Sequence, residues 1–188
     1  MQKIGIYGGT FDPIHIAHLI LARDALEELQ LEKIIFVPAA VSPQKPAPCA
    51  TAELRLQMLR AAIEPAGPFE IDDCELRRPP PSYTIDTVEQ LAKKYPKSEL
   101  FFLIGDDNLR SLPGWRRFND LRQIVTFVVL PRSISPVLHE YISVGRRIDI
   151  SATEIRNRVA RGQPIRYLVP EAVEEIISRE CLYREVSK

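Results

Sequence analysis

Lys3 to His18 reads KIGIYGGTFDPIHIAH, and this stretch decides the fold. Lys3 to Tyr7 is short and apolar enough to be a buried strand. Gly8 and Gly9 let the backbone turn with no side chain in the way. Pro13 suits the first turn of a helix, where a missing N–H costs nothing. Ile16 to Leu29 then carries apolar residues at helical spacing. On that reading His15 and His18 lie three residues apart on one face of the first helical turn. A strand, a glycine turn and a helix N-terminus with two imidazoles form a place to hold phosphate. The same residues also fit an ordinary strand–turn–helix with two surface histidines.

Outward from this start, strands alternate with helices. Lys33 to Pro38 (KIIFVP) is a buried strand, Val41 to Ala50 a proline-rich loop, and Thr51 the cap of a helix to about Ile63. Phe69 to Leu76 reads as a strand with Cys74 and Leu76 turned inward. Arg77 to Ser82, with three consecutive prolines, is expected to be extended. Thr84 to Tyr95 is helical, with Ile85, Val88 and Leu91 on its apolar face. Leu100 to Ile104 (LFFLI) reads as a central strand, and Ile124 to Leu130 (IVTFVVL) as another buried on both faces. A short strand over Arg147 to Ile150 precedes two helices, one from near Ala152 to Gly162 and one with Pro170 in its first turn. Near-continuous apolar strands joined by helices predict an α/β fold, a Rossmann-like doubly wound parallel sheet with helices on both faces and a short helical C-terminal part. In such a sheet ligands lie beyond the carboxyl ends of the strands, at the switch point.

The 188 residues suit a single domain, 1–188. Lys plus Arg and Asp plus Glu both count 25, so no overall field attracts nucleic acid or an anionic membrane. No apolar run is long enough to cross a bilayer, and the N-terminus opens into a strand rather than a signal segment. Cys49, Cys74 and Cys181 are scattered without metal-ligand spacing and read as reduced, packing thiols of a cytoplasmic protein.

Further residues carry chemistry. Ser151-Ala152-Thr153-Glu154-Ile155-Arg156, just after Ile150, opens a helix; Ser151 or Thr153 suits a cap. The same terminus offers free N–H groups and two hydroxyls, with Arg156 one turn on, to an anion. Gly105-Asp106-Asp107-Asn108 ends the LFFLI strand, where a carboxylate accepts hydrogen bonds from ribose hydroxyls or caps the next helix. Ser82, Tyr83 and Thr84 form a helix N-terminus delivered by prolines, which favours a carboxylate. The lone Trp115 is either a core residue or a platform for a planar cationic ring. Lys45, in a proline-rich loop, reads as a solvated lysine or a phosphate contact. The C-terminal part concentrates arginines (Arg146, Arg147, Arg156, Arg158, Arg161, Arg166) in a neutral chain, a local excess that a polyphosphate site needs.

The string G-G-T-F-D-P-x-H-x-x-H, Gly8 to His18, resembles the T/H-x-G-H signature of the nucleotidyltransferase superfamily. Ile150 to Arg156 is similar to the superfamily's I-S-S-T-x-I-R, with Ala152 at the second serine, and Gly105 to Asn108 to its G-A-D-N, with Asp106 for alanine. Pro81 to Thr87 (PSYTIDT) looks like the pyridine-recognition segment of bacterial nicotinate-mononucleotide adenylyltransferases, and Trp115 falls at the spacing of a family tryptophan. Lys45 matches the basic residue of the family's P-x-x-P-H-K, with Gln44 for histidine. Arg132 matches the arginine of R-P-G, with Ser133 for proline.

The resemblance implies adenylyl transfer from ATP to nicotinate mononucleotide, giving deamido-NAD and pyrophosphate. It assigns catalysis to His15 and His18. ATP binding falls to Gly8, Gly9, Thr10, Phe11, His15, His18, Gly105, Asp107, Arg132, Ile150, Ser151, Thr153 and Arg156. Acceptor binding falls to Lys45, Ser82, Tyr83, Thr84 and Trp115. A Mg²⁺ ion is expected on the ATP phosphates, so no side chain is assigned to a metal. Nucleic acid and membrane are not expected partners, and a homo-oligomer remains open. Two competitors stand beside this reading: transfer to another phosphate acceptor, and a nucleotide-binding regulatory module without turnover.

Overall fold

The computed structural model describes residues 2–43, 46–64, 67–131 and 138–184. The opening stretch forms β1 (Gln2–Gly9), followed by α1 (Ile16–Glu28), β2 (Lys33–Pro38), α2 (Ala52–Ile63), β3 (Phe69–Ile71), α3 (Thr84–Lys94) and β4 (Ser98–Gly105). Then come α4 (Phe118–Ile124), β5 (Val125–Leu130), the short β6 (Ile142–Ser143), α5 (Ala152–Ala160) and α6 (Glu171–Arg179). The strands form one parallel sheet in the order β3-β2-β1-β4-β5-β6. The order reverses direction between β1 and β4, the switch point of a doubly wound fold.

Period-two alternation along the strands feeds two cores. Ile34 and Phe36 of β2, Tyr7 of β1, Phe101 and Leu103 of β4, and Val128 and Leu130 of β5 pack with α1, α2, α5 and α6. Their neighbours Ile35, Val37, Ile4, Ile6, Phe102, Ile104, Phe127 and Val129 pack with α3 and α4. Both faces of the sheet are thus covered, which is why the strands read as near-continuous apolar runs.

The structure departs from sequence expectation at several places, each with a visible cause. Gly8 and Gly9 do not turn; they stay in β1, paired with Val37 and Pro38 of β2. Their missing side chains make room instead. A Cβ on Gly9 would lie 2.9 Å from the Phe11 ring, and one on Gly8 would lie 3.2 Å from the Phe102 ring. Pro13 lies three residues ahead of α1, because the side chain and carbonyl of Asp12 are both held by other segments of the chain.

β3 stops at Ile71 because the Asp72 carboxylate accepts from the Cys74 N–H at 3.1 Å and starts a series of turns. The proline run after it bends rather than extends. The expected strand at Arg147–Ile150 is absent. Ile142 and Ser143 pair with β5 instead, and Arg146 is drawn to α1 by Asp24, which binds both its backbone N–H and its guanidinium. Pro170 caps α6 instead of lying inside it. Of the three free thiols only Cys74 is buried; Cys49 and Cys181 are exposed and so do not pack.

Candidate active site

The carboxyl ends of β1 and β4 bring the first and third motifs side by side. Beyond Gly9 the backbone swings Phe11 inward at φ 48°, where its ring meets Tyr7 at 5.8 Å, His18 at 5.2 Å and Phe36 at 5.7 Å. Phe11 therefore offers a ligand its backbone only, and its side chain anchors the loop. His15 is the N-cap of α1 and His18 its third residue. Their rings stack with centroids 3.6 Å apart, and the His15 backbone N–H donates to Nδ1 of His18 at 3.2 Å. That bond makes Nδ1 an acceptor, so a neutral His18 carries its proton on Nε2 as a directed donor. His15 and His18 are 1% and 7% exposed, which rules out the surface-histidine reading.

Asp12 joins four segments. Its carboxylate accepts from the N–H groups of Cys49 (2.7 Å) and Ala50 (3.2 Å) and from the Tyr183 hydroxyl (2.7 Å). Its carbonyl accepts from Nη1 of Arg156 at 2.8 Å. Burial, with this bond to Asp12, pushes the Tyr183 hydroxyl well above the ordinary tyrosine range, so it stays a donor. Arg156 also donates to Thr153 Oγ1 at 3.2 Å, while Ser151 Oγ caps α5 by accepting from the Glu154 N–H at 3.1 Å. The Ile150–Arg156 motif thus reaches the histidine loop through a guanidinium. Ile150 itself packs half-buried on the core. Of the other arginines in this part of the chain, Arg146 is paired with Asp24, Arg158 donates to the Pro164 carbonyl and Arg166 lies over the Tyr167 ring.

Beneath these loops lies Arg55, 1% exposed. Its guanidinium donates to the carbonyls of Thr10 (2.8 Å), Ala39 (2.7 Å), Ala40 (3.2 Å) and Ala50 (3.3 Å). Desolvation lowers its pKa, opposed by the charge of Asp12. One buried cation thereby fixes the histidine loop, the end of β2 and the loop before α2.

The segment Ser82–Thr84 leans on the same loops. The Ser82 N–H donates to the Val41 carbonyl at 2.9 Å, and Ser82 Oγ accepts from the Ala40 N–H at 3.1 Å. The neighbouring Ser82 hydroxyl also favours the ionised form of the buried Glu75 carboxylate. Tyr83 is the N-cap of α3 and Thr84 its first residue. The Arg116 guanidinium lies 4.5 Å over the Tyr83 ring. Trp115 is half-buried, edge-on to Phe102 (6.2 Å) and Phe127 (6.5 Å). At the end of β4, Gly105 and Asp106 are buried, whereas Asp107 is exposed and accepts from Asn108 Nδ2 at 3.2 Å. Thr10 Oγ1 lies 3.5 Å from Ser42 Oγ. Gln44, Lys45, Arg132 and Ser133 fall outside the described residues.

Sequence reasoning missed Arg55, Asp12 and Tyr183 as organisers of these loops. Arg55 had a signal: it shares the apolar stripe of α2 with Met58, Leu59 and Ala62, where a charge needs partners. Tyr183 had none. For a metal, the Asp12 carboxylate of the histidine loop is taken up by Cys49, Ala50 and Tyr183, which leaves imidazoles, a guanidinium and N–H groups to meet phosphate oxygens. Among the described residues no group of three or more His, Cys, Asp or Glu is placed to hold an ion.

Paired imidazoles at the switch point of a parallel sheet, with an arginine-bearing helix N-terminus beside them, suit the polyphosphate of a nucleotidyltransferase, the class that comparison with known proteins shows. The cytidylyltransferase-like family model matches residues 6–158. A relative from Methylacidiphilum infernorum is 44% identical, over 96% of this chain and 92% of its own length, and one from Shouchella clausii is 42% identical over 97% of both. Each is named a probable nicotinate-nucleotide adenylyltransferase. This chain belongs to that family. The fold agrees with the Plasmodium falciparum nicotinic acid mononucleotide adenylyltransferase complexed with NaAD, with a TM-score of 0.81 at 19% identity over 97% of this chain and 98% of that one. It also agrees with a Vibrio parahaemolyticus structure described as a putative nicotinate-nucleotide adenylyltransferase, with a TM-score of 0.74 at 21% identity over 99% and 98%.

Proposed function

We propose that this chain, acting as one nucleotidyltransferase domain, transfers the adenylyl group of ATP to nicotinate mononucleotide, giving deamido-NAD and pyrophosphate. The observation that carries this reading is the 2.8 Å bond from Arg156 to the Asp12 carbonyl. It joins the α5 N-terminus to the α1 N-terminus, so that two anion-holding elements meet beyond the switch point. The acceptor's own phosphate is the nucleophile and is already anionic at neutral pH. Its oxygen bonds to the α-phosphorus as the bond to the β-phosphate oxygen breaks, and pyrophosphate leaves with that electron pair. No general base is required, and catalysis rests on alignment and charge stabilisation.

In this reading His15 and His18 hold the α- and β-phosphates, with His18 donating from Nε2. The N–H groups at the start of α5, Thr153 and Arg156 hold the β- and γ-phosphates. Gly8 to Phe11 contribute backbone, Asp107 meets the ribose, and Arg132 and Lys45 add positive charge towards phosphate. Tyr83, Thr84 and Trp115 receive the pyridine ring, whose carboxylate faces the α3 N-terminus. A Mg²⁺ ion carried by the nucleotide would supply further neutralisation of phosphate charge. The three free thiols suit a reducing, cytoplasmic setting. Pyrophosphate release, measured with ATP or CTP against a panel of phosphate acceptors, tests the assignment. Turnover confined to ATP with a pyridine mononucleotide supports it. Turnover with another acceptor, or none, replaces it with one of the competing readings.

A further inference from the structure

Glu75 is a buried carboxylate that the chemistry above does not use. It is 7% exposed, lies in the turn after β3 and faces the first turn of α3. The Thr87 hydroxyl, itself buried, donates to Glu75 Oε1 at 2.6 Å and accepts in turn from Arg78 Nη2. Arg78 stands 4.0 Å from the carboxylate. Ser82 Oγ, which accepts from the Ala40 N–H at 3.1 Å, stands on the same side and favours the ionised carboxylate. Glu75 thus grips the first turn of α3 through Thr87, just after Tyr83 and Thr84, while Ser82 just before them is tied to the loop beyond β2 by Ala40 and Val41. A carboxylate suits this place because it accepts from the Thr87 hydroxyl and offers no competing donor.

We propose that Glu75 is a positioning residue for the acceptor: by holding Thr87 it sets where Tyr83 and the free N–H groups of α3 stand, and so governs acceptor affinity without touching acceptor or ATP. This rests on the reading that Tyr83 and Thr84 receive the pyridine carboxylate. The groups facing Glu75 are Arg78 from its own turn, Asp86 from α3 and the neighbouring Cys74. Burial pushes the Cys74 thiol up to about 12, so it stays neutral over the working range.

Burial also raises the Glu75 pKa above the ordinary glutamate range, against the hydrogen bonds of Thr87 and Ser82. The sign of the pH effect follows. The ionised form holds the Thr87 hydroxyl, so acceptor KM rises as pH falls through that raised pKa. Stability runs the other way: the folded state binds this proton more tightly, so the ionised group disfavours folding above its raised pKa.

The test compares Glu75→Ala, Glu75→Gln and Tyr83→Ala by KM for nicotinate mononucleotide and for ATP, by kcat, and by melting temperature. Glu75→Ala is expected to raise acceptor KM roughly tenfold with ATP KM within about twofold. Glu75→Gln raises acceptor KM about threefold near neutral pH and melts no lower than the parent by more than a few degrees. Its acceptor KM relative to the parent, a ratio that cancels titration of the substrate phosphate, falls towards one at acid pH. A residue with a merely structural role would lower melting temperature and leave the ratio of the two KM values alone. Equal rises in both KM values, or a Glu75→Gln acceptor KM matching the parent at every pH, overturn the proposal. Should Glu75→Ala fail to fold, the glutamine variant decides alone. Tyr83→Ala separates the levels: if it raises acceptor KM while the Glu75 variants do not, the positioning role alone is refuted, and if it leaves acceptor KM unchanged, the placement of the acceptor falls too.

Discussion

Replacing Arg55 by methionine keeps an unbranched apolar stem in the stripe of α2 and removes every hydrogen bond the guanidinium makes. Four carbonyls lose a donor: Thr10, Ala39, Ala40 and Ala50. Thr10 and Ala40 are half-buried and within reach of water, whereas Ala39 and Ala50 are buried. A buried polar group left unsatisfied costs about 1–3 kcal/mol, so two cost about 2–6 kcal/mol. Methionine also relieves the desolvation that lowers the arginine pKa, which brings the expected loss to about 2–4 kcal/mol. For a chain of this size each kcal/mol lowers the melting temperature by about 2–4 °C, giving a drop of about 4–16 °C. Thermal melting followed by circular dichroism measures this. Because the freed carbonyls belong to the histidine loop and its neighbours, kcat at a temperature where the variant is fully folded is expected to fall about tenfold or more. Arg55→Lys, a single point donor in place of a fork, should fall between the two. A methionine variant melting within about 2 °C of the parent with unchanged kcat would refute the idea that this cation organises the loops.

His18→Ala removes the Nε2 donor and the acceptor for the His15 N–H; steady-state turnover is expected to fall by about two to three orders of magnitude and melting by only a few degrees. Near-parental turnover would make the histidine a structural residue. Arg156→Ala should weaken ATP binding far more than acceptor binding, since a guanidinium–phosphate pair is charge-assisted and acts at one end of the nucleotide. Separate titrations of the two ligands check this, and a loss confined to the acceptor would reassign the α5 motif. Nicotinate mononucleotide should be preferred over its amide by roughly ten- to a hundredfold in kcat/KM, because an amide NH₂ facing the α3 N–H groups leaves donors unpaired at about 1–3 kcal/mol. Equal values for the two acceptors would contradict that contact while leaving adenylyl transfer standing.

The sheet was legible because each central strand is an apolar run bounded by turn residues: β2 falls on Lys33–Pro38 as expected, and β5 begins one residue late. The cap of α2 at Thr51 and the N-terminus of α3 were legible for the same local reasons. What failed was non-local. The expected strand over Arg147–Ile150 is absent, and Arg146 just before it is held by Asp24, more than a hundred residues away. The false extension of β3 to Leu76 followed the inward alternation of Cys74, while Asp72 closed a turn that periodicity cannot see. Gly8 and Gly9 were recognised as necessary for the wrong reason: ring clearance depends on where Phe11 and Phe102 end up. Arg132 and Lys45 lie outside the described residues and rest on the motif alone.

The distribution of buried polar groups explains why so much of the loop architecture escaped a local reading. Nine polar or charged residues are buried among those described: Asp12, His15, His18, Asp24, Arg55, Asp72, Glu75, Thr87 and Asp106. Only Asp24 lies in the middle of a helix. The others follow a strand or occupy the first turns of the next helix, at the carboxyl edge of the sheet. Burying such groups costs free energy unless each is hydrogen-bonded, and the partners of Asp12 and Arg55 are largely backbone groups of neighbouring loops. A reaction whose nucleophile arrives already charged gains little from an added base. It gains from holding two anionic substrates in line against their repulsion, which demands loops that do not yield. Arg55, Asp12 and Glu75 supply that stiffness from beneath. Their identity follows from the distance each must span between backbones, a quantity set by the folded sheet and carried by no short run of residues.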